Sequence, residues 1–143
     1  MTTSTTPTAQ YVASATASGR EGRAVTSDGR LDVTLAPPVE LGGSGEGTNP
    51  EQLFAAGYAA CFASALGLVA RKRRVEDFDV AVTADVSLSG SSSTGFGLGV
   101  VLHVELPEGI DPQLGRELVD TAHQVCPYSN ATRGNIPVEL VIS

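Results

Sequence analysis

Alternating apolar and polar residues near the start of the chain predict three short strands. The alternation covers residues 11–17, 23–26 and 31–35, and a period of two residues is typical of a half-buried strand. The Asp-Gly pair at 28–29 favours a tight hairpin turn between the second and third strands. The proline pair at 37–38 ends the series, so this part of the chain is expected to form a small meander.

A long apolar segment that follows a glycine-rich loop predicts the central helix. The loop covers residues 42–49. Its last residue, Asn49, suits the N-cap, Pro50 suits the first helical position, and Glu51 suits the positive end of the helix dipole. These signals predict a helix from Pro50 to about Arg73.

The same segment has the length and the basic flank of a membrane-spanning helix. No charged residue occurs from Gln52 to Ala70, and four basic residues follow at 71–74. However, 10 of the 18 residues in 53–70 are Ala, Gly or Ser. A helix that is small-sided and apolar all round is typical of the centre of a soluble fold, and no membrane partner is expected.

Two longer strands, a second helix and a last strand complete the predicted order of elements. The strands cover residues 79–89 and 96–106, with a Ser/Gly-rich connection at 90–95, and the helix runs from 111 to about 125. The last strand covers residues 136–142. The order βββ-α-ββ-α-β predicts an α+β fold with mostly antiparallel sheets around two helices.

Composition and charge restrict the functional classes. A chain of 143 residues suits one domain, expected over residues 11–143 after a flexible tail at 1–10. Nine Lys and Arg against sixteen Asp and Glu give a net charge of −7, which argues against nucleic acid as a partner. The polar N-terminus has no signal-peptide pattern, so a cytoplasmic location is expected.

No residue pattern in the sequence specifies a bound cofactor or a metal. The glycine-rich loop lacks the Gly-Lys-Ser/Thr ending of a phosphate-binding loop, so a flexible lid or connector is the favoured interpretation. His103 and His123 belong to no metal-ligand spacing. We therefore predict no metal site and no bound cofactor.

The two cysteines are the candidate chemical groups. They are too few for a disulfide framework but sufficient for a redox pair. Cys61 lies mid-helix, where a buried inert thiol is the simpler interpretation, and Cys126 ends the second helix. Their separation of 65 residues leaves the choice between redox pair and structural thiols open.

Arg20 and Glu51 have a specific use if Cys61 is a nucleophile. A free thiol is only about 3% thiolate at neutral pH, and burial reduces that fraction further. A guanidinium beside the sulfur would stabilise the thiolate, and a carboxylate could orient the guanidinium. Ten residues separate Glu51 from Cys61, about 15 Å along a helix. A mobile loop or a second subunit would have to bring these charges to the thiol.

Two long motifs carry a resemblance to a known family. Residues 47–62 read GTNPEQLFAAGYAACF and residues 122–135 read AHQVCPYSNATRGN. Together with residues 17–22 and 94–98, they resemble the signature segments of the Ohr/OsmC family. The second motif resembles the Ohr branch, the organic hydroperoxide resistance proteins, more than the OsmC branch. The resemblance covers residues 11–143.

The resemblance implies a thiol peroxidase that acts on organic hydroperoxides, such as those of fatty acids, in response to oxidative stress. Residue by residue, it implies that Cys61 is the peroxidatic thiolate and Cys126 the resolving thiol. Arg20 would activate Cys61, and Glu51 would orient Arg20. It further implies an intertwined homodimer with active sites at the interface. The implied reductant is an external dihydrolipoyl group on a lipoylated protein.

Four aromatic residues near the motifs are predicted to line an apolar substrate pocket. They are Phe54, Tyr58, Phe62 and Phe96. Core packing is an equally good explanation for any one of them. Two further alternatives remain open, namely an OsmC-type peroxidase with another peroxide preference and a non-catalytic ligand-binding domain with structural thiols.

Overall fold

A computed structural model of the chain describes residues 8–143, which divide into two units between Pro50 and Glu51. The flexible tail expected at residues 1–10 therefore lies mostly outside the described residues. The boundary falls at the start of the predicted central helix, so each unit is described by itself.

Three strands form the sheet of the first unit. They are β1 (Ala15–Ala17), β2 (Gly22–Thr26) and β3 (Asp32–Leu35), all paired antiparallel in the order β1-β2-β3. The predicted hairpin turn is present between β2 and β3. The Asp28 carboxylate accepts hydrogen bonds from the Thr26 hydroxyl at 2.8 Å and the Arg30 N–H at 2.9 Å. An aspartate that bonds the backbone two residues ahead stabilises such a turn.

The first strand is shorter than the alternation predicts. It begins at Ala15 rather than at residue 11, and Tyr11 and Val12 are 79% and 73% exposed. Its partner strand ends at Thr26, and only the Ser27 N–H continues the pairing, to the Ser14 carbonyl. Because β2 turns away there, the earlier residues lack a backbone to pair with.

The glycine-rich loop packs closely on the chain that precedes it. A 3-10 turn (Val39–Leu41) leads into it, and Thr48 returns to pair with the backbone at 34–36. A Cβ atom on Gly43 would lie 2.1 Å from the Pro37 carbonyl oxygen, and one on Gly47 would lie 2.7 Å from that of Thr34. These glycines allow close backbone approach, so the loop is a packed connector rather than the flexible lid considered above.

The second unit contains most of the long helix and a three-stranded sheet. The helices are α1 (Pro50–Lys72), α2 (Pro112–Val125) and α3 (Pro127–Thr132), and the strands are β4 (Ala81–Ser91), β5 (Gly95–Glu105) and β6 (Val138–Ile142). β4 and β5 pair antiparallel, and β6 pairs parallel with β5 at the other edge. The prediction of an α+β fold with mostly antiparallel sheets is confirmed.

The core of this unit joins one face of the sheet to α1 and α2. Alternate β5 residues are buried, as the period-two pattern predicts, and the apolar stripe of α2 is buried with them. The fully buried side chains of the cluster include Tyr58, Phe62, Leu66, Leu102, Val104, Leu118 and Val119. Helix α1 is also long and apolar enough to cross a membrane by length and composition. Its buried side chains pack into this core, as expected for a central helix.

The segment between α2 and β6 differs from the prediction. Sequence reasoning ended the second helix correctly at Cys126-Pro127, but it missed the short helix α3 that starts there. The last strand begins at Val138 rather than 136. The N–H groups of Asn135 and Ile136 bond to the Thr132 carbonyl instead, which closes α3 and delays the strand.

Candidate active site

The two cysteines meet although 65 residues separate them. The Cys126 S–H donates to Cys61 Sγ, with a sulfur–sulfur distance of 3.4 Å. Cys61 lies in the middle of α1 and is half-buried, whereas Cys126 lies between α2 and α3 and is fully buried. A disulfide bond is about 2.05 Å long, so a small approach of the two sulfurs suffices to form one.

The break between α2 and α3 fixes the position of Cys126. Its N–H completes α2 by bonding to the Ala122 carbonyl at 2.8 Å, and its carbonyl accepts the Asn130 N–H of α3 at 3.0 Å. Pro127 has no N–H and suits the first position of a helix. Cys126 is thus the C-cap of one helix and the N-cap of the next.

The environment of Cys61 favours the protonated thiol. Burial raises the pKa of Cys61, and the neighbouring Cys126 raises it further. The backbone N–H of Tyr128 acts in the opposite direction, because a hydrogen bond to the sulfur stabilises the thiolate and lowers the pKa. None of these groups is a cation. A positive charge beside the sulfur would lower the pKa and favour the nucleophilic thiolate.

A network of buried polar side chains lies one helical turn from the thiols. The Ser129 hydroxyl is 2.8 Å from Tyr58 Oη and 2.8 Å from His123 Nδ1. Tyr58 Oη is also 3.2 Å from Thr132 Oγ1, and the Thr132 hydroxyl donates to the Ser129 carbonyl at 3.1 Å. The network joins α1, α2 and α3.

The protonation of His123 sets the direction of that network. Burial lowers the pKa of His123, and the Arg133 guanidinium lowers it further, while Asp120 opposes both. A neutral imidazole with its proton on Nε2 accepts the Ser129 hydroxyl at Nδ1. The Ser129 oxygen then accepts from the Tyr58 hydroxyl.

Three aromatic rings cover the α1 surface before Cys61. The ring centroids of Phe54 and Tyr128 are 5.9 Å apart, and those of Tyr58 and Tyr128 are 5.6 Å apart. Tyr128 lies against α1 at Gly57, where a Cβ atom would be 2.7 Å from the phenol oxygen. Gly57 therefore makes room for Tyr128.

The four aromatic residues predicted to line a pocket have different environments. Tyr58 and Phe62 are 0% exposed and belong to the core, so core packing accounts for both. Phe54 is partly buried at the edge of the same cluster. Phe96, at the start of β5, is 64% exposed. Only Phe54 and Phe96 offer surface to a ligand.

The two charged candidates belong to different units and are described separately. Arg20 is exposed in the turn between β1 and β2 of the first unit. Glu51 lies in the first turn of α1, half-buried, about 15 Å along the helix axis from Cys61. Glu51 and the two thiols lie in the same unit, but the length of α1 between them keeps Glu51 away from Cys61.

Sequence reasoning missed Tyr128, Ser129 and Thr132 as parts of the site. All three lie within the second motif, residues 122–135, and the motif was a usable signal. Their contacts with α1 depend on α3, which was not predicted. In the described residues, no three His, Cys, Asp or Glu side chains form a group that could hold a metal ion.

The paired thiols and the α+β fold point to one protein family, and the comparisons with known proteins identify it. Residues 43–141 match the OsmC-like protein family, and the chain belongs to that family. An organic hydroperoxide resistance protein of Xanthomonas axonopodis pv. citri is 54% identical over 136 residues, which cover 93% of this chain and 94% of the relative. The resemblance to the Ohr branch of the Ohr/OsmC family is thereby confirmed.

Solved structures agree with this assignment. A crystal structure of an organic hydroperoxide resistance protein from Legionella pneumophila is 50% identical, with a TM-score of 0.90 over 95% of this chain and 99% of that one. A second, from Elizabethkingia anophelis, is 45% identical, with a TM-score of 0.88 over 94% and 97% of the two chains.

Proposed function

We propose that this protein is a cysteine-based peroxidase that reduces organic hydroperoxides to alcohols and thereby protects the cell from oxidative stress. The observation that carries the proposal is the pair of thiols, one half-buried and one fully buried, at 3.4 Å in a member of this family. The relatives named organic hydroperoxide resistance proteins support the substrate class.

The reaction begins at the more accessible sulfur. The Cys61 thiolate attacks one peroxide oxygen, the O–O bond breaks, and the alkoxide leaves and takes a proton to give the alcohol. Cys61 becomes a sulfenic acid. The Cys126 thiol then condenses with it, so that an S–S bond forms and water leaves. The short distance between the two sulfurs supports this second step.

Arg20 and Glu51 are proposed to supply the charge that Cys61 needs. Burial raises the pKa of this thiol, and a guanidinium near the sulfur would reverse that effect by favouring the thiolate. We assign this role to Arg20. Glu51 would hold the guanidinium in place through paired hydrogen bonds.

The alkyl part of the substrate is proposed to lie against Phe54 and Phe96. These are the two predicted pocket residues with exposed surface, and Tyr58 and Phe62 would support the pocket from the core. Each buried CH₂ group of a substrate adds about 0.8 kcal/mol of binding. Such a surface would favour alkyl and fatty-acid hydroperoxides over hydrogen peroxide.

An external dihydrolipoyl group, carried by a lipoylated protein, is proposed to recycle the disulfide. Its first thiolate would attack the Cys61 sulfur, because Cys126 is fully buried and exchange requires access to the attacked sulfur. Cys126 then leaves as a thiol. The second lipoyl thiol releases Cys61 and forms the lipoyl disulfide. Such a cycle needs no bound cofactor, and it suits the reducing cytoplasm.

We also propose an intertwined homodimer with active sites at the interface. The apolar α1 has a flank that its own chain leaves exposed, at Ala56, Ala60, Ser64 and Leu68. A second copy that covers this flank would remove apolar surface from water. It would also allow the charges beside Cys61 to come from the second subunit, one of the two routes considered for them.

Thiol titration before and after one equivalent of cumene hydroperoxide tests the proposed function. We expect the loss of both thiols, with none lost in Cys61→Ser, and a trapped sulfenic acid in Cys126→Ser. Survival of both thiols would overturn the enzyme assignment and favour a binding domain with structural thiols. Dihydrolipoamide is expected to restore the thiols faster than thioredoxin.

A further inference from the structure

The polar character of the side chains beside the thiols is not required for a stable core. Phe, Ala and Val would fill nearly the same volumes as Tyr58, Ser129 and Thr132. Replacing both partners of a buried hydrogen bond by apolar groups is often nearly neutral for stability. Hydrogen bonds are directional, whereas hydrophobic contacts are not. The hydrogen bonds of these polar side chains therefore fix the relative orientation of the groups in this part of the core.

The network joins the two helical turns that carry the thiols. Tyr58 precedes Cys61 by three residues on α1, and Ser129 follows Cys126 by three residues in α3. Residues three apart in a helix lie on the same face. The 2.8 Å contact between Tyr58 Oη and Ser129 Oγ thus runs beside the 3.4 Å contact between the sulfurs.

Helix α3 depends on such contacts because it is short. It has six residues, and isolated helices of this length are not stable in water. Ser129 bonds it to α1 through Tyr58 and to α2 through His123. The Thr132 hydroxyl donates to the Ser129 carbonyl at 3.1 Å within α3, and its oxygen lies 3.2 Å from Tyr58 Oη. These bonds hold the helix that begins at Cys126.

We propose that Tyr58, His123, Ser129 and Thr132 form a positioning network that holds Cys126 within reach of the oxidised Cys61. The network thereby determines how the Cys61 sulfenic acid divides between disulfide formation and over-oxidation. This role rests on the proposed peroxidase function. The four residues act through Cys126 and do not themselves react.

The two fates of the sulfenic acid compete directly. In the first, the Cys126 thiol attacks the Cys61 sulfur, an S–S bond forms, and the hydroxyl group leaves as water. In the second, another hydroperoxide transfers one oxygen to the sulfenic acid, which gives a sulfinic acid and an alcohol and is not reversed by thiols. The first rate depends on the position of Cys126, and the second depends on peroxide concentration.

A small displacement of α3 is enough to change this competition. The sulfurs must close by about 1.4 Å to reach the length of a disulfide. Reactions between held groups are sensitive to displacements of that size. Loss of one bond of the network would leave α3 free to move by such an amount.

The test measures the ratio of sulfinic acid to disulfide by mass spectrometry after a rising series of cumene hydroperoxide additions. The variants are Ser129→Ala and Thr132→Val, each of which removes one hydroxyl group with little change of volume. We expect the ratio to rise about fivefold, the factor equivalent to one net hydrogen bond. Because the ratio concerns only steps after sulfenic acid formation, it is independent of the first reaction.

Two further variants separate positioning from general destabilisation. Thr132→Ser keeps the hydroxyl and is expected to retain a ratio close to that of the unmodified protein. Val119→Ala creates a cavity at a fully buried position of α2 outside the network. We expect it to lower stability but to leave the ratio of sulfinic acid to disulfide equal to that of the unmodified protein.

The possible outcomes distinguish this inference from the proposed function. A disulfide that forms with an unchanged ratio in Ser129→Ala and Thr132→Val would overturn the positioning role alone. An increase in Val119→Ala equal to that in Thr132→Val would also overturn it. If the unmodified protein loses no thiols to peroxide, both the proposed function and this role fail.

Discussion

At the scale of single residues, exposure separates the proposed roles of the two cysteines. Cys61 is half-buried and can meet a substrate, whereas Cys126 is fully buried and donates its S–H to Cys61. Burial has a cost, because it raises the pKa of Cys61 and reduces the thiolate fraction at neutral pH. The hydrogen bond from the Tyr128 N–H offsets part of that increase. A guanidinium near the sulfur would lower the pKa further.

Replacing Arg20 by alanine is predicted to shift the pH dependence of peroxide reduction upward. The reaction rate follows the thiolate fraction of Cys61, so it rises as pH rises through the pKa of this thiol. Removing a guanidinium destabilises the thiolate and raises the pKa further. At pH 7 we expect a rate loss of about tenfold or more, since one pKa unit changes the thiolate fraction by that factor. Stopped-flow measurement of thiol oxidation across the pH range checks it.

Arg23→Ala is the matched control for this prediction. It removes the same charge from the same unit, three residues away, where Arg23 pairs with Asp32 on the exposed β2–β3 hairpin. Its pH–rate profile should follow that of the unmodified protein. An Arg20→Ala profile that coincides with the Arg23→Ala profile would remove Arg20 from the activating role.

At the scale of elements, strong periodic patterns were predicted well, whereas the short helix α3 was missed. The sequence predicted α1 from Pro50 to about Arg73, and the helix ends at Lys72. Helix α2 ends as predicted, because its apolar stripe and the Cys126-Pro127 helix stop are both visible in the sequence. Six residues of α3 carry less than two turns of periodicity, so no pattern could reveal them.

Long-range pairing was the second feature that sequence reasoning could not reach. Nothing in the spacing of Cys61 and Cys126 showed that the sulfurs meet, since contact depends on how α3 packs on α1. The parallel pairing of β6 with β5 is of the same kind. The family motifs identified both thiols but gave no distance between them. For the same reason, Tyr58 and Phe62 were assigned to a pocket, whereas they are buried in the core.

The end of α1 gives a prediction about stability. Arg74 has a φ of 59°, in the left-handed region that favours glycine. The Val75 N–H bonds to the Ala70 carbonyl and the Arg74 N–H bonds to the Arg71 carbonyl, which is the Schellman pattern. We expect Arg74→Gly to raise the free energy of unfolding by about 0.5–1 kcal/mol, because it relieves the left-handed conformation.

Chemical denaturation with urea measures this difference, and Arg71→Gly provides the control. Arg71 lies within the last turn of α1, where glycine is expected to lower stability by up to about 1 kcal/mol. The two variants remove the same side chain within one turn of each other. Equal destabilisation by both would show that the Arg74 side chain, rather than its backbone conformation, determines the effect.

At the scale of the whole molecule, the separation of charge and thiol bears on the proposed dimer. Glu51 and Cys61 are about 15 Å apart along α1, and α1 keeps an exposed apolar flank in its own chain. A partner copy on that flank would account for both facts. If the partner also supplies the guanidinium, each active site contains residues of two chains.

Mixing two impaired variants distinguishes a shared site from a site within one chain. Arg20→Ala keeps Cys61 but lacks the guanidinium, and Cys61→Ser keeps the guanidinium but lacks the thiol. In a shared site, a mixed dimer pairs Cys61 of the first variant with Arg20 of the second. We expect activity at pH 7 to return in the mixture after subunit exchange, towards about one quarter of the unmodified level, since half of the dimers are mixed and each has one complete site.

The control mixture replaces the second variant by one that carries both Arg20→Ala and Cys61→Ser. It forms the same mixed dimers but contains no Arg20, so no recovery is expected. If the first mixture recovers no activity although sedimentation shows mixed dimers, Arg20 acts on Cys61 of its own chain. A fully active monomer would rule out the shared site altogether, because the required charge would then have to come from within one chain.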